Sequence, residues 1–177
     1  MYLRWVGGKS SIATELINRF PKASLDTYIE PFIGSASMYF KFHTSLMDNL
    51  FYKVPYYFCL SDTNKFLINC HIQVRDNISP VSKELIILQN EHNESSDPLV
   101  CYQKIRNLVT DDSLLISNPV KLAAYFIYIN KTCFNGLWRE NSLGRNNVPF
   151  NKKAVIKFNQ EILNEASLRL EGSDIYV

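Results

Sequence analysis

The chain has 177 residues, of which 46% are hydrophobic and 13% aromatic, so it can bury one substantial core and is too short for two ordinary enzyme domains. Its 19 basic and 17 acidic side chains leave a net charge of +2, so any nucleic-acid surface must be local. The scattered cysteines and histidines match no zinc or redox spacing, so we expect reduced thiols and no metal. The sequence shows no leader-like or membrane-spanning apolar run, so we expect no membrane contact and a cytoplasmic location.

The first part of the chain alternates between helical and extended patterns. Apolar residues recur at helical spacing over residues 9–20, and Pro21 is expected to end this helix. A short aromatic and β-branched segment over 27–32 predicts a strand that runs through a tight loop into a helix. A second strand is predicted over 56–60, followed by a helix that reaches about Arg75. This repeated strand-then-helix order predicts an α/β fold.

The middle of the chain is helical without a comparable strand, which predicts a helical insertion. Its three predicted helices, each with a proline near the start, are 80–91, 98–109 and 119–130. Residues 111–113 are predicted to form a turn between the last two of them. Turn-forming residues over 141–148 then predict a hairpin, and a final helix near 158–170 leads into a strand that begins at Ser173.

The turn after the first predicted strand has the composition of a nucleoside-binding loop. Gly34 allows a sharp bend, and the small residues at 35–37 let a ligand approach the amino end of the next helix. The loop lacks the three glycines of a pyrophosphate site, so a nucleoside fits it better than NAD. Asp62 after the second strand suits a pair of ribose hydroxyls, although it could also cap the next helix. An ordinary strand-to-helix turn is the alternative for the whole feature.

Taken in order, several segments resemble the Dam-type, or D12 class, DNA adenine N6-methyltransferases. Those enzymes open with aromatic-x-Gly-Gly-Lys, continue with Glu-Pro-Phe-x-Gly-x-Gly, place an aspartate after the next strand, and carry a helical insert. The insert ends in Tyr/Phe-Asn-Gly-Leu-x-Arg and Asn-Val-Pro-Phe. The matching segments of this chain are 5–9, 30–36, Asp62, 134–139 and 147–150. Each motif is weak alone, and their order over nearly the whole chain is specific.

The resemblance implies a Rossmann-like, S-adenosyl-L-methionine-dependent methyltransferase core with a helical DNA-recognition insert and a β-hairpin. It implies that the amino-terminal segment and the turn after the first strand hold this cofactor, with Asp62 on the ribose. The expected cofactor-binding residues are Trp5, Lys9, Glu30, Pro31, Phe32, Gly34 and Asp62. Ala36 replaces the second glycine of the family motif, and its methyl group is expected to crowd the edge of the cofactor.

The segment 134–139 corresponds to the part of the family's insert that reads double-stranded DNA. Phe134 and Asn135 would enter the base stack, and Arg139 would pair with guanine O6 and N7. The basic residues expected at phosphates are Lys131, Arg145, Lys152 and Lys153. The expected DNA-binding residues are Phe134, Asn135, Arg139, Asn141, Arg145 and Lys152. Alternatively, Phe134 and Trp138 belong to the core and Arg139 is a surface charge. Arg106 matches another arginine of the family's insert. On a helix face it is expected either to contact the DNA backbone or to be a surface charge.

The family's catalytic Asp-Pro-Pro-Tyr is not found in the sequence. In those enzymes a carboxylate and a proline carbonyl accept hydrogen bonds from the adenine amine, and the tyrosine stacks on the extruded base. Residues 147–150 read Asn-Val-Pro-Phe, which differs by one residue from the accepted Asn-Pro-Pro-Phe variant of this motif, but they align with the family's hairpin motif. No catalytic residue is therefore assigned. We expect the chain to be inactive alone, as a fragment or as one piece of a split enzyme whose second polypeptide carries the motif.

Three segments with different roles follow from these motifs. Residues 1–78 would form the cofactor-binding part of the core, 79–152 the helical insert and hairpin for target recognition, and 153–177 an incomplete return to the core. The leading hypothesis is a site-specific DNA adenine N6-methyltransferase, with GATC as the first sequence to test. A non-catalytic DNA-binding module and another nucleotide-binding α/β enzyme are the alternatives.

Overall fold

The computed structural model describes residues 1–20, 26–48, 55 and 57–177. The described residues contain one parallel sheet in the order β1-β2-β3, made of β1 (Thr27–Glu30), β2 (Tyr57–Ser61) and β3 (Ser173–Tyr176). The register sets Glu30 beside Leu60 and Leu60 beside Ile175. The predicted strands are therefore confirmed, while Pro21 and Tyr56 lie outside the described residues.

Helices account for most of the described chain. They are α1 (Ala13–Asn18), α2 (Ser37–Asp48), α3 (Lys65–Asp76), α4 (Ile78–Glu94), α5 (Pro98–Leu108), α6 (Asp112–Ser117), α7 (Pro119–Thr132) and α8 (Gln160–Leu170). Short 3-10 turns occur at Lys9–Ser11 and Phe134–Gly136. Proline occupies the first turn of α5 and α7, where its missing N–H costs no hydrogen bond. No helix in these described ranges is long and apolar enough to cross a membrane.

Helix α7 is the centre of the core. Every residue from Leu122 to Asn130 is buried, because α7 packs against α3, α4 and α5. Helix α3 in turn packs against α8 and β3. One continuous core therefore joins the sheet to the helical insertion. The division into 1–78, 79–152 and 153–177 stays a prediction about roles, because these segments share that core.

Three local predictions differ from the structure. The predicted helix over 9–20 is a 3-10 turn followed by the shorter α1. The predicted turn at 111–113 is wrong, since Asp111 caps α6 by accepting from the N–H groups of Ser113 and Leu114 at 2.8 and 3.3 Å. Aspartate makes the same contact in turns and at helix starts, so its type does not separate the two. The hairpin consists of isolated antiparallel bridges, Glu140 to Asn146 and Cys133 to Phe150, without regular strands.

Candidate functional site

A cleft of about 450 Å³ opens at the carboxyl ends of β1 and β2. Its volume lies within the range of small-molecule sites, and its position is where open α/β sheets bind ligands. Six of the seven predicted cofactor residues line it: Trp5, Lys9, Glu30, Phe32, Gly34 and Asp62. Pro31 is the exception. It lies in the same turn, where its carbonyl accepts a hydrogen bond from the Ser61 hydroxyl at 3.3 Å.

Asp62 connects the turn after β1 to the residues that precede α3. Its Oδ2 accepts from the N–H of Gly34 at 3.1 Å, and its Oδ1 accepts from the N–H of Asn64 at 3.1 Å. A carboxylate has about four acceptor positions, so Asp62 retains capacity for further donors from the cleft. The side chain that caps α3 is Asn64, which accepts from the N–H groups of Phe66 and Leu67. The alternative of Asp62 as the helix cap is therefore wrong.

Trp5 forms a wall of the cleft because Gly34 has no side chain. A Cβ atom at Gly34 would lie 2.7 Å from Cδ1 of the indole, and the backbone φ of Gly34 is +49°. The indole also stacks on Phe126, with ring centroids 6.2 Å apart, and Phe126 stacks on Trp138 at 4.6 Å. These three rings form a continuous stack from the cleft to the segment that contains Arg139.

Glu30 places a titratable carboxyl group at the end of β1. The hydroxyl of Tyr28 donates to Glu30 Oε2 at 2.7 Å. Burial raises the pKa of Glu30 to about 7, although hydrogen bonds to Tyr28 and to the backbone at Tyr39 act in the opposite direction. A ligand ammonium group in the cleft would favour the ionised form of this carboxyl.

Ala36 faces the core instead of the cleft. Its side chain is fully buried and does not line the cavity, so the expectation that its methyl group crowds the cofactor is wrong. Its φ is +59°, a left-handed conformation that costs an alanine roughly 1 kcal/mol or more. The family's glycine at this position is explained by backbone conformation.

The cleft also contains residues that are not among the seven expected cofactor-binding residues. The hydroxyl of Ser37, at the start of α2, accepts from the N–H of Lys9 at 3.1 Å. This bond joins the amino-terminal segment to the turn after β1, and Ser37, Ser35 and Gly8 all line the cavity. A serine at a helix start is a usable signal for such a contact.

The segment from Phe134 to Arg139 has an exposed side and a buried anchor. Phe134 is 49% exposed, and Asn135 is exposed with a left-handed φ of +54°. Gly136 is buried against Arg4, because a Cβ atom there would lie 2.6 Å from the Arg4 Cβ. The alternative that buried Phe134 in the core is wrong. For Trp138 it is partly right, since this half-buried ring packs on Phe126.

Arg139 is exposed and is held in one orientation by Asn147. Its Nε donates to Asn147 Oδ1 at 2.7 Å, and its Nη2 donates to the Asn147 carbonyl at 3.0 Å. The Asn147 N–H donates back to the Arg139 carbonyl at 3.1 Å. Within the part of the chain that the structure describes, Nη1 of Arg139 makes no hydrogen bond. The guanidinium can therefore approach an external acceptor pair with its outer edge.

The loop after Arg139 is shaped by Asn141. Its Oδ1 accepts from the N–H groups of Leu143 and Arg145, both at 3.0 Å. The side-chain oxygen is therefore engaged in the turn, and the amide NH₂ of Asn141 makes no hydrogen bond to any residue that the structure describes. Arg145 is exposed on the same loop.

A basic patch lies at the end of α7. The ammonium of Lys153 donates to the Lys131 carbonyl at 3.2 Å. Burial lowers the pKa of Lys153, and the charges of Lys131 and Arg4 lower it further, so these three cations are neighbours. Lys152 is exposed next to them. The sequence did not reveal Arg4 as a member of this patch.

Arg106 packs on the helical insertion. The guanidinium of half-buried Arg106 lies over the Tyr102 ring at 5.9 Å, so this side chain is not a freely solvated surface charge.

A second cleft, of about 380 Å³, separates the start of α3 from the Arg139 segment and is lined by Thr63, Lys65 and Trp138 among others. Because Thr63 follows Asp62, the two clefts are adjacent.

Among the described residues no group of three or more metal-ligating side chains occurs, and all four cysteines are free thiols.

The parallel α/β sheet, with a nucleoside-sized cleft at its carboxyl edge, has the architecture of a Rossmann-like methyltransferase core. The family model for D12 class N6 adenine-specific DNA methyltransferases matches residues 5–177, and the chain belongs to this family. The match covers both the cleft and the segment around Arg139.

Curated relatives agree with the family. A type II methyltransferase, M.MjaIII, of Methanocaldococcus jannaschii is 32% identical over 95% of this chain and 56% of its own length. The type II methyltransferase M1.LlaDCHI of Lactococcus lactis subsp. cremoris is 28% identical over 98% of the chain and 58% of its own length. A DNA adenine methylase of Serratia marcescens is 29% identical over 92% of the chain and 53% of its own length. The chain thus spans about half the length of these relatives.

Proposed function

We propose that residues 1–177 form the cofactor-binding and target-reading part of a site-specific DNA adenine N6-methyltransferase that uses S-adenosyl-L-methionine. The observation that carries this proposal is the hydrogen bond from the Gly34 N–H to Asp62 beneath the Trp5 indole, in a cleft next to Arg139. The bond shapes a nucleoside-sized cavity, and the neighbouring exposed arginine suits a base edge.

The cleft residues have distinct roles in this proposal. The remaining acceptor capacity of Asp62 would bind the ribose hydroxyls, and the Trp5 indole offers an apolar wall. Glu30 offers a carboxylate for the ammonium group of the amino-acid part, while Lys9 and Phe32 line the rim. The bound cofactor would supply an electrophilic sulfonium methyl group.

The exposed segment would read duplex DNA. Arg139, oriented by Asn147, would pair with a guanine, while Phe134 and Asn135 would fill the space left by an extruded adenine. The cations that would contact phosphates are Arg4, Lys131, Arg145, Lys152 and Lys153. We propose GATC as the first target sequence to test.

Methyl transfer needs acceptors around the adenine amine, and the sequence contains no Asp-Pro-Pro-Tyr. We therefore propose that residues 1–177 by themselves bind both ligands without transferring a methyl group, and that a segment carrying this motif, on the same or on a second polypeptide, would complete the site. The exposed Arg139 and the basic patch also suit a second candidate, a non-catalytic DNA-binding module. That candidate predicts DNA binding unaffected by S-adenosylmethionine and by substitutions in the cleft.

Calorimetry with S-adenosylmethionine and with a GATC duplex tests both candidates. We expect the wild-type chain to bind each ligand, and Asp62→Ala to weaken cofactor binding roughly 10- to 100-fold, as expected for hydrogen bonds to a charged group. The same variant should leave duplex binding measured without cofactor unchanged. Failure to bind S-adenosylmethionine would contradict the cofactor assignment, and methylation of duplex DNA by this chain alone would contradict the assignment of catalysis to residues outside it.

A further inference from the structure

His71 lies directly behind the cofactor cleft without lining it. The ring is on α3 and is fully buried. Its Nε2 is 2.7 Å from the Gly34 carbonyl oxygen, and its Nδ1 is 2.6 Å from the Tyr2 hydroxyl. Because the ring is sealed from the cavity, it cannot contact a ligand there. Its polar atoms therefore act on the protein itself.

The partners of His71 define where its proton lies. A carbonyl oxygen only accepts, so Nε2 must carry the hydrogen and donate to Gly34. Nδ1 is then an acceptor, and the Tyr2 hydroxyl donates to it. Burial lowers the pKa of His71 to about 4, which keeps the ring neutral near pH 7.

Gly34 is consequently held on three sides. Its N–H donates to Asp62, its carbonyl accepts from His71, and the Trp5 indole occupies the place where a side chain would project. A left-handed residue in a turn can change its conformation when its peptide groups are free. We propose that His71 is a positioning residue, whose Nε2–H holds the Gly34 carbonyl so that the bend already has its cofactor-binding shape in the free protein. This inference rests on the proposed function of the cleft.

Two amide substitutions separate this role from simple packing. In His71→Gln the terminal amide NH₂ can take the place of the imidazole Nε2 and donate to Gly34, whereas the shorter His71→Asn side chain reaches only the Tyr2 side. Both variants bury one amide, so each is a control for the packing loss of the other. We expect His71→Gln to keep S-adenosylmethionine affinity within about threefold, and His71→Asn to lose roughly tenfold, as for one buried hydrogen bond.

Affinities are compared by calorimetry at a temperature where both variants are shown to be folded. Equal cofactor affinities for the two variants, or weaker binding by His71→Gln, would overturn the proposal. Binding of a DNA duplex without cofactor provides the internal control, and we expect it to be the same in both variants because the hydrogen bonds of His71 go to Tyr2 and Gly34.

Amide hydrogen exchange of the ligand-free protein tests the same role without any cofactor. The reporters are the N–H of Gly34, which donates to Asp62, and the N–H of Ala36, which donates to the Ile33 carbonyl at 2.8 Å. We expect both to exchange at least about tenfold faster in His71→Asn than in His71→Gln. Equal exchange would contradict the positioning role. Failure of the wild-type chain to bind S-adenosylmethionine, with exchange rates that do differ, would contradict only the proposed function.

Discussion

The cleft at the carboxyl ends of β1 and β2 and the exposed segment around Arg139 lie side by side, but they are built in different ways. In the cleft, the backbone of Gly34 is held by a part-buried hydrogen bond to Asp62 and a buried one from His71. In the segment, Phe134 and Arg139 project outward from a buried frame, and a single residue, Asn147, orients the arginine. A shape that must fit one small molecule is set by buried polar contacts. A surface that reads bases can vary its exposed side chains at small cost to the fold.

The largest expected effect comes from Gly34→Ala. The new Cβ would overlap the Trp5 indole at 2.7 Å, and a left-handed conformation adds its own cost, so the sum is about 2–5 kcal/mol. We expect calorimetry to show at least about 30-fold weaker S-adenosylmethionine binding.

Gly144→Ala is the matched control for that change. Gly144 has a φ of +70°, and no atom lies within 4 Å of the position that a Cβ would take, so the variant shares the backbone cost and lacks the overlap. We expect it to bind the cofactor as the wild type does. Equal losses in the two variants would show that general destabilisation, and not the overlap with Trp5, weakens cofactor binding, and would remove the contrast with the exposed segment.

Arg139→Ala should affect only the DNA side. Loss of a bidentate base contact costs about 1–3 kcal/mol, so we expect roughly 5- to 150-fold weaker binding to the preferred duplex and a smaller loss for duplexes changed at the guanine. Fluorescence anisotropy with both duplexes measures this. Lys152→Ala is the comparison, since loss of a phosphate contact should weaken all duplexes alike and reduce the salt slope by about 1. A uniform loss for Arg139→Ala would make it a phosphate contact.

Glu30, in the cleft, should make the free energy of unfolding depend on pH, and we expect no such contribution from the exposed segment around Arg139. Its pKa is raised from 4.5 to about 7, so between these values the folded state binds more protons than the unfolded state. The free energy of unfolding contributed by this group therefore falls as the pH rises through that window. His71, with its lowered pKa, acts in the opposite direction below pH 6.5.

The comparison of wild type with Glu30→Gln isolates the first of these two contributions. Denaturant unfolding at several pH values from 5 to 8 measures it. We expect the stability of Glu30→Gln relative to wild type to increase from pH 5 to pH 7 and then to level off. A difference that stays constant across this range would contradict the raised pKa.

The smallest expected effect is that of Ala36→Gly. Relief of the left-handed conformation is worth roughly 1 kcal/mol, but the loss of a buried methyl group and the added freedom of the unfolded chain offset it. We expect thermal unfolding to change by less than about 1 kcal/mol in free energy, and cofactor affinity to stay the same. A tenfold gain in affinity would instead show that the methyl group does limit the cleft.

Short sequence patterns predicted much of the fold and the position of the cleft. The three strands, the glycine bend after β1 and the aspartate after β2 could be predicted because alternation, turn chemistry and residue order are properties of short segments. The motif order also led to the D12 class, which the family match confirms. The roles assigned to the individual cleft and DNA-reading residues remain predictions.

Contacts between distant segments were decided only by the tertiary structure. The sequence could not show that His71 reaches Gly34, that Arg4 joins the basic patch, or that the Ala36 methyl group faces the core. Periodicity identifies the buried side of one element, but the partner of a buried polar atom depends on how elements far apart in the chain pack together. Residue types therefore determined which chemistry this chain can offer, and the closing of the core determined which atoms meet to perform it.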